Sequence, residues 1–258
     1  MMFSPIVSVI IPTYHDWDRL KLCLDSLKKQ TYPQENFEVL VINNDPNDFP
    51  PYNVESGNVK LLQEFSSGSY IARNLGIFHA KGKIIAFTDS DCIPLSTWLS
   101  NAVNRFKSEP SSENSIFAGQ INVFPKQRNN PNIIEIFSMN FELNQKKYVK
   151  KKRFATANVF IKKTFFELIG NFNGSLKSNG DFEFASRAVA KKIEIKYCEN
   201  CQVDHPARFS FEQILIKAKR KIGGAYDTAF ILKTSIIKLF LSIIKSYFIS
   251  IFEILKTN

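Results

Sequence analysis

Two carboxylates one residue apart close an apolar run: Ile84-Ile85-Ala86-Phe87-Thr88 leads into Asp89-Ser90-Asp91. The run reads as an interior strand of a parallel α/β sheet, whose carboxyl edge is where such sheets place ligands. On a regular strand positions i and i+2 share a face, so Asp89 and Asp91 are expected to converge on one ligand. Two hard oxygen donors there suit a divalent cation, Mn²⁺ or Mg²⁺, shared with substrate phosphates. Asp-Ser-Asp is also an ordinary turn sequence, so the pair gains meaning from the elements that position it.

Those elements begin with Ile6 to Ile11, a buried-strand run stopped by Pro12-Thr13-Tyr14. Asp16 stands as an N-cap before Leu20, Leu24 and Leu27 at helical spacing. Gln30-Thr31-Tyr32-Pro33 follows, then a second strand from Phe37 to Ile42 ending in Asn43-Asn44-Asp45. A Ser/Gly turn at 67–69 opens the segment Ile71-Ala72-Arg73-Asn74-Leu75-Gly76, which precedes the aspartate pair.

In order and spacing, residues 6–100 resemble the family 2 glycosyltransferases, enzymes that use nucleotide-activated sugars on the A-type glycosyltransferase fold. The shared signs are the strand-Pro-Thr-Tyr opening, the Gln-Thr-Tyr helix exit, the Ala-Arg-Asn-x-Gly helix and the Asp-x-Asp strand end. The resemblance resumes at 155–208. Ala157 to Ile161 looks like the next core strand, and Gly170-Asn171-Phe172-Asn173 like a Gly-Gly-Phe-Asp turn. Residues 178–187 are similar to the acidic helix start that carries the catalytic base, and His205-Pro206-Ala207-Arg208 to a segment of a bacterial subgroup.

The resemblance implies an α/β fold with a Rossmann-like nucleotide-binding half and a mixed central sheet, spanning 1–208 as the catalytic domain. Pro12, Tyr14 and Asn44 would then lie on the nucleoside side, with Asp89 at the ribose. Arg73 would align Asp89, touch phosphate or form a structural salt bridge. Asp91, with Asp89 and His205, would hold the metal; a histidine before proline is also a common structural residue. Asp181 would be the general base and Glu183 would support the acceptor side or its loop. The implied reaction is metal-dependent, inverting and non-processive. It moves a sugar from a nucleoside diphosphate, with UDP as the expected carrier, to a hydroxyl of a glycan or polyprenyl-linked acceptor. A catalytically inactive, nucleotide-sugar-binding membrane scaffold is the alternative. The chain departs from the family pattern at Asn43-Asn44, at Cys92 and at Gly180, where many relatives carry carboxylates. It also lacks the Gln-x-x-Arg-Trp of processive synthases.

A hydrophobic content of 44% in 258 residues is ample for a packed core and argues against disorder. The net charge of +10 is concentrated in the run 146–153 and in residues 206–258, where nine Lys/Arg face three Asp/Glu. Such surfaces suit phosphates or anionic lipid. No nucleic-acid-reading motif accompanies the charge, so nucleic acid is not an expected partner. Cys198-Glu199-Asn200-Cys201 lacks a second ligand pair and reads as a reduced structural pair. With no secretory leader in the opening residues, a cytoplasmic location is the expectation.

Residues 209–258 read as a basic, amphipathic helical tail. From Ala229 to Leu255, Lys238, Ser242, Lys245 and Glu253 share one side, opposite Ile236, Phe240, Ile243, Tyr247, Ile251 and Ile254. A span would set lysines in hydrocarbon at about 2.5–3.5 kcal/mol each near the centre. An in-plane helix on an anionic membrane face keeps them wet. Packing on the catalytic domain or a partner is the other reading.

Overall fold

In the computed structural model, residues 5–108 and 113–231 are described. The first half of the chain alternates strands and helices: β1 (Val7–Thr13), α1 (Trp17–Lys28), β2 (Phe37–Asn43), β3 (Val59–Gln63), α2 (Ser69–His79) and β4 (Ile84–Thr88). The second half adds β5 (Ile93–Pro94), α3 (Trp98–Ser108), β6 (Ser115–Phe124), α4 (Ile133–Phe141) and α5 (Gln145–Lys150). It ends with β7 (Asn158–Lys162), α6 (Lys163–Ile169), α7 (Gly180–Ala190), β8 (Glu194–Pro206) and α8 (Phe211–Ile231).

All eight strands join one sheet in the order β3-β2-β1-β4-β7-β6-β8-β5. The pairs β3/β2, β2/β1 and β1/β4 are parallel, whereas β7 is antiparallel to both β4 and β6. A parallel Rossmann-like half thus continues into a mixed half. Both faces of β1, β2 and β4 are covered, which is why they read as apolar runs. Val7, Val9 and Ile11 pack with α1 and α3 residues such as Leu20 and Trp98, while Ile10 faces α2, α6 and α7 through Ala72, Phe166 and Phe184.

The chain winds from β1 out to β3, then returns to place β4 on the other side of β1. Ligands of such sheets bind beyond the carboxyl ends at this reversal. The segments issuing there are Pro12–Asp16 and Asp89–Asp91.

Three local expectations change. β4 ends at Thr88, and Asp89-Ser90-Asp91 form a turn closed by the Cys92 amide on the Asp89 carbonyl at 3.1 Å. The strand argument that put both carboxylates on one face therefore does not apply. Asp16 precedes α1 as expected, but its carboxylate makes no cap bond and instead accepts from Arg19 (2.7 Å) and Ser90 (3.1 Å). Cys198 and Cys201 are joined as a disulfide, not reduced. The bridge closes a bulge in which β8 carries extra residues between its pairings Gly119↔Cys198 and Gln120↔Gln202.

α8 lies against the catalytic body, with Gly224 beside Ser178 and Lys217 paired with Glu142. Among the described residues no helix is long and apolar enough to cross a membrane. Most of the amphipathic stretch read at 229–255 lies outside the described residues.

Candidate active site

A cavity of about 490 Å³ opens at the carboxyl ends of β1 and β4, and α8 forms part of its wall. It brings together Pro12, Tyr14, Asn44, Arg73, Asp89, Asp91, Asp181 and His205 from across the sequence. Glu183 is not among its lining residues.

Each residue of the Ala-Arg-Asn-x-Gly segment on α2 has a separate task. Ala72 is fully buried against the sheet. Arg73, itself buried, binds Asp89 Oδ1 through Nη2 at 2.5 Å. Asn74 donates to the Phe172 carbonyl at 2.8 Å and accepts from the Phe172 amide at 3.0 Å, fixing the turn before α7. Gly76 lies so close to Ile10 that a Cβ would overlap its side chain. The helix is thereby held tight to β1 while it presents Arg73 to the cavity.

Asp89 and Asp91 diverge. Asp89 is engaged by Arg73, whereas Asp91 Oδ2 lies 3.5 Å from both Arg19 Nη1 and His205 Nε2. His205 Nδ1 sits 2.7 Å from the Pro206 carbonyl. That oxygen can only accept, so Nδ1 carries a proton, and in the neutral ring Nε2 turns a lone pair toward Asp91. Two acceptors so placed fit around a shared cation, and a carbonyl holding the far nitrogen is the usual support of a metal-bound histidine. Cys92 completes the cluster of candidate ligands with Asp91 and His205. Its thiol is buried, donates to the Ala157 carbonyl and is pushed well above its ordinary pKa by burial, so it stays protonated. The usable donors are one carboxylate and one imidazole, which together suit Mn²⁺ better than Mg²⁺.

Asp181 enters from the start of α7. The preceding Asn179 takes a left-handed conformation (φ 61°), tolerated by Asn, and the turn lays Gly180 flat against the Tyr70 ring. Tyr70 donates to Asp181 Oδ1 at 3.2 Å, and the Phe182 amide donates to the same oxygen at 2.9 Å. Burial outweighs these bonds and the nearby Arg73 charge, pushing the Asp181 pKa up to about 6. Tyr70 is driven upward as well, by burial and then by Asp181, so its hydroxyl remains a donor. A carboxylate of this kind can take a proton near neutrality.

Two expected site residues have partners within the fold. Glu183 is buried and closes on Arg187, Oε1 to Nε at 2.7 Å and Oε2 to Nη2 at 2.9 Å. Arg187 in turn donates to the Ile169 and Asn171 carbonyls at 2.6 and 2.8 Å. Glu183 thus secures the 169–173 turn, in keeping with a loop-supporting role. Asn44 donates to the Ser66 carbonyl and accepts from the Gly68 amide, both at 2.8 Å. Its amide ties down the loop before α2.

Tyr70 and the ion-pair cluster of Glu142, Arg208 and Lys217 also line the cavity. Glu142 binds Arg208 at 2.5 Å and Lys217 at 2.9 Å. Burial lowers the Lys217 pKa to about 8. Arg208 belongs to the His-Pro-Ala-Arg segment, but no local pattern joins it to Glu142 or Lys217, because these parts of the chain meet only on folding.

A family model described as glycosyl transferase family 2 matches residues 8–170. Glycosyltransferase AglE of Haloferax volcanii is 30% identical over 227 residues, covering 85% of this chain and 72% of that protein. The Escherichia coli UDP-Glc:alpha-D-GlcNAc-diphosphoundecaprenol beta-1,3-glucosyltransferase WfgD is 36% identical over 100 residues, only 37% of either chain. Among solved structures, the mannosyltransferase PcManGT of Pyrobaculum calidifontis, with GDP-Man and Mn²⁺, aligns with a TM-score of 0.63 at 20% identity over 88% of this chain. Staphylococcus aureus TarS 1–349 with UDP-GlcNAc aligns at 0.59 and 20% identity over 79%. The present chain spans 64% and 59% of those two structures respectively. The shared architecture is the A-type glycosyltransferase fold.

Proposed function

The chain belongs to glycosyltransferase family 2, and from that premise we propose that it transfers a sugar from a UDP-sugar to an acceptor hydroxyl with inversion, one residue per encounter. The observation that carries this reading is Asp181 in the same cavity as Asp89, Asp91 and His205, with its carboxyl tuned to about 6. Pro12, Tyr14 and Asp89 line the cavity and would border its nucleoside end. Tyr14 is 60% exposed, free to offer its ring to a base. The buried Thr13 hydroxyl has no partner among the described residues and lines the same end, ready for a ligand polar group.

Asp91 and His205 would hold the divalent cation, which as a Lewis acid offsets charge on the departing diphosphate. Arg73 keeps Asp89 oriented. Asp181 accepts the proton of the acceptor hydroxyl as the acceptor oxygen bonds to the anomeric carbon and the bond to the diphosphate breaks. One displacement needs no covalent enzyme intermediate, and it inverts the anomeric centre. Tyr70 stabilises the ionised base by a hydrogen bond, and Glu183 with Arg187 holds the turn beneath it.

The acceptor belongs to a surface polysaccharide or a lipid-linked glycan, and the protein works at the cytoplasmic face of the cell membrane. The apolar and basic sequence of 229–255 supports that placement. Nucleotide release by purified protein across a UDP-sugar panel, with and without Mn²⁺, tests the reading. Metal-dependent turnover that falls about 100-fold or more in Asp181→Asn is expected. Undiminished turnover in that variant would move the base elsewhere.

A further inference from the structure

A second cavity, of about 640 Å³, adjoins the first. Its walls are of two kinds. Leu22, Ile93, Phe124, Phe209 and Ile216 give it aliphatic and aromatic surface. Arg19, Lys126, Arg208, Lys217 and Arg220 give it five cations against one lining carboxylate, Asp91. Gln213 is the sole neutral amide of the lining, and its carbonyl is taken by the Phe209 amide at 3.1 Å. A glycan needs neutral donors and acceptors in number to replace its water. This wall lacks them. It suits an anion that carries a hydrocarbon chain.

The two cavities share Asp91, His205, Arg208, Lys217 and Arg220. Three cations therefore stand where the apolar groove meets the catalytic cavity. Glu142, which pairs with Arg208 and Lys217, lines the catalytic side only. Leu22, Phe209 and Ile216 are 54%, 47% and 59% exposed, so the apolar wall runs out to the protein surface. Lys126 sits 5.3 Å over the Phe209 ring at that wall.

Building on the lipid-linked acceptor of the proposed function, we infer that this groove holds the hydrocarbon chain of a lipid-phosphate acceptor, with its phosphate on Arg208, Lys217 and Arg220. The reacting hydroxyl, on a sugar carried by that phosphate, then points through the shared opening toward Asp181, while the chain leads outward to the exposed apolar wall. The nucleotide sugar has no hydrocarbon to fill the groove, so the two substrates use separate apolar and nucleoside ends with charge between them.

The test uses the full chain in neutral detergent and a C20 isoprenyl monophosphate, followed by titration calorimetry. Inorganic phosphate, the C20 alcohol and phosphatidylglycerol are the comparison arms, and UDP with Mn²⁺ is titrated separately. The isoprenyl phosphate is expected to bind at least about tenfold more tightly than any of the three. Ile216→Glu, at an exposed position, should weaken it about tenfold and Lys126→Glu severalfold, with UDP affinity unchanged in both. Equal binding of phosphatidylglycerol would make the groove a general lipid contact and overturn the inference. Full displacement of the isoprenyl phosphate by UDP, with both variants neutral, would assign the cations to the donor and also overturn it. Absence of UDP binding would defeat the donor reading itself, whereas UDP binding without lipid-phosphate binding defeats this inference alone.

Discussion

The Tyr70 hydroxyl donates to Asp181 across 3.2 Å, and the contact exists because residue 180 is glycine. A Cβ at Gly180 would overlap the Tyr70 ring. Gly180 thus leaves room for an aromatic donor beside the carboxylate. Since the bond favours the ionised form while burial opposes it, Tyr70 restrains a pKa that is already raised to about 6. Transfer should therefore rise with pH through about 6 and level off above it, as Asp181 becomes able to accept a proton. Tyr70→Phe should move that acidic limb upward by about one unit, the worth of one hydrogen bond to a charged group. A pH–rate profile checks both, and an unmoved limb would detach Tyr70 from the base.

Asp181 also bears on stability, with a definite sign. Its folded pKa of about 6 lies above the ordinary 3.8, so between those values the unfolded chain has released a proton that the folded chain keeps. Stability then falls as pH rises through this window and stays lower above it. Asp181→Asn removes the ionisation and keeps the acceptor oxygen for the Phe182 amide. The variant is expected to be more stable than the parent at pH 7.5, by about 3 kcal/mol at most, and alike at pH 4. Thermal scans at the two pH values decide it.

At the metal, Asp91→Ala and His205→Gln should each lower Mn²⁺-dependent UDP affinity by about tenfold or more and leave the metal-free affinity little changed. Titration of UDP in Mn²⁺ and in chelator separates the two. The same experiment on Cys92→Ser should show no loss of metal dependence, because its thiol is buried and protonated. Retention of full Mn²⁺-dependent affinity in His205→Gln would return His205 to a structural role.

The parallel half was legible because its signals are local. Apolar runs gave β1, β2 and β4, and the segment Ala72 to Gly76 gave α2 with Arg73 on its working face. What escaped depends on partners distant in sequence. Asn44 holds Ser66 and Gly68, partners that its strand-end position does not reveal. Asn158 donates to the Gln120 and Cys201 carbonyls and accepts from Trp98, tying β6, β7, β8 and α3 together at a position marked only by its place in a motif. Glu142, Arg208 and Lys217 come from three elements that no spacing rule connects. The bulge closed by Cys198 and Cys201 arises from the pairing of β8 with β6, a register that the sequence of β8 alone does not specify.

Glu183 separates a positioning role from a chemical one. Glu183→Gln breaks a buried pair and leaves Arg187 without its charge partner, at a cost of about 2–3 kcal/mol in stability. Transfer at a permissive temperature should keep its pH profile, with the acidic limb still near 6, because Asp181 remains the base. A collapse of the rate with an unchanged melting temperature would instead place Glu183 in the chemistry.

Removing residues 232–258 should shift the protein from the membrane fraction to the soluble one while UDP binding persists. The argument rests on what each part contains. All of Asp89, Asp91, Asp181 and His205, together with the α8 residues Lys217 and Arg220 at the cavity wall, precede the cut. The removed stretch carries Ile, Leu and Phe in quantity, interrupted by Lys233, Lys238 and Lys245. An in-plane helix of that composition binds through buried apolar area plus attraction to anionic headgroups. Lys238→Glu with Lys245→Glu should therefore weaken vesicle binding by about 1 kcal/mol per lysine lost, or more with the reversed charge. High salt should do so only in part, since screening leaves the apolar contribution intact. Vesicle sedimentation at two ionic strengths, with UDP titration of the truncated chain, reads both halves of the claim. A truncated protein that aggregates or loses UDP binding would show that the segment belongs to the folded body and not to the membrane.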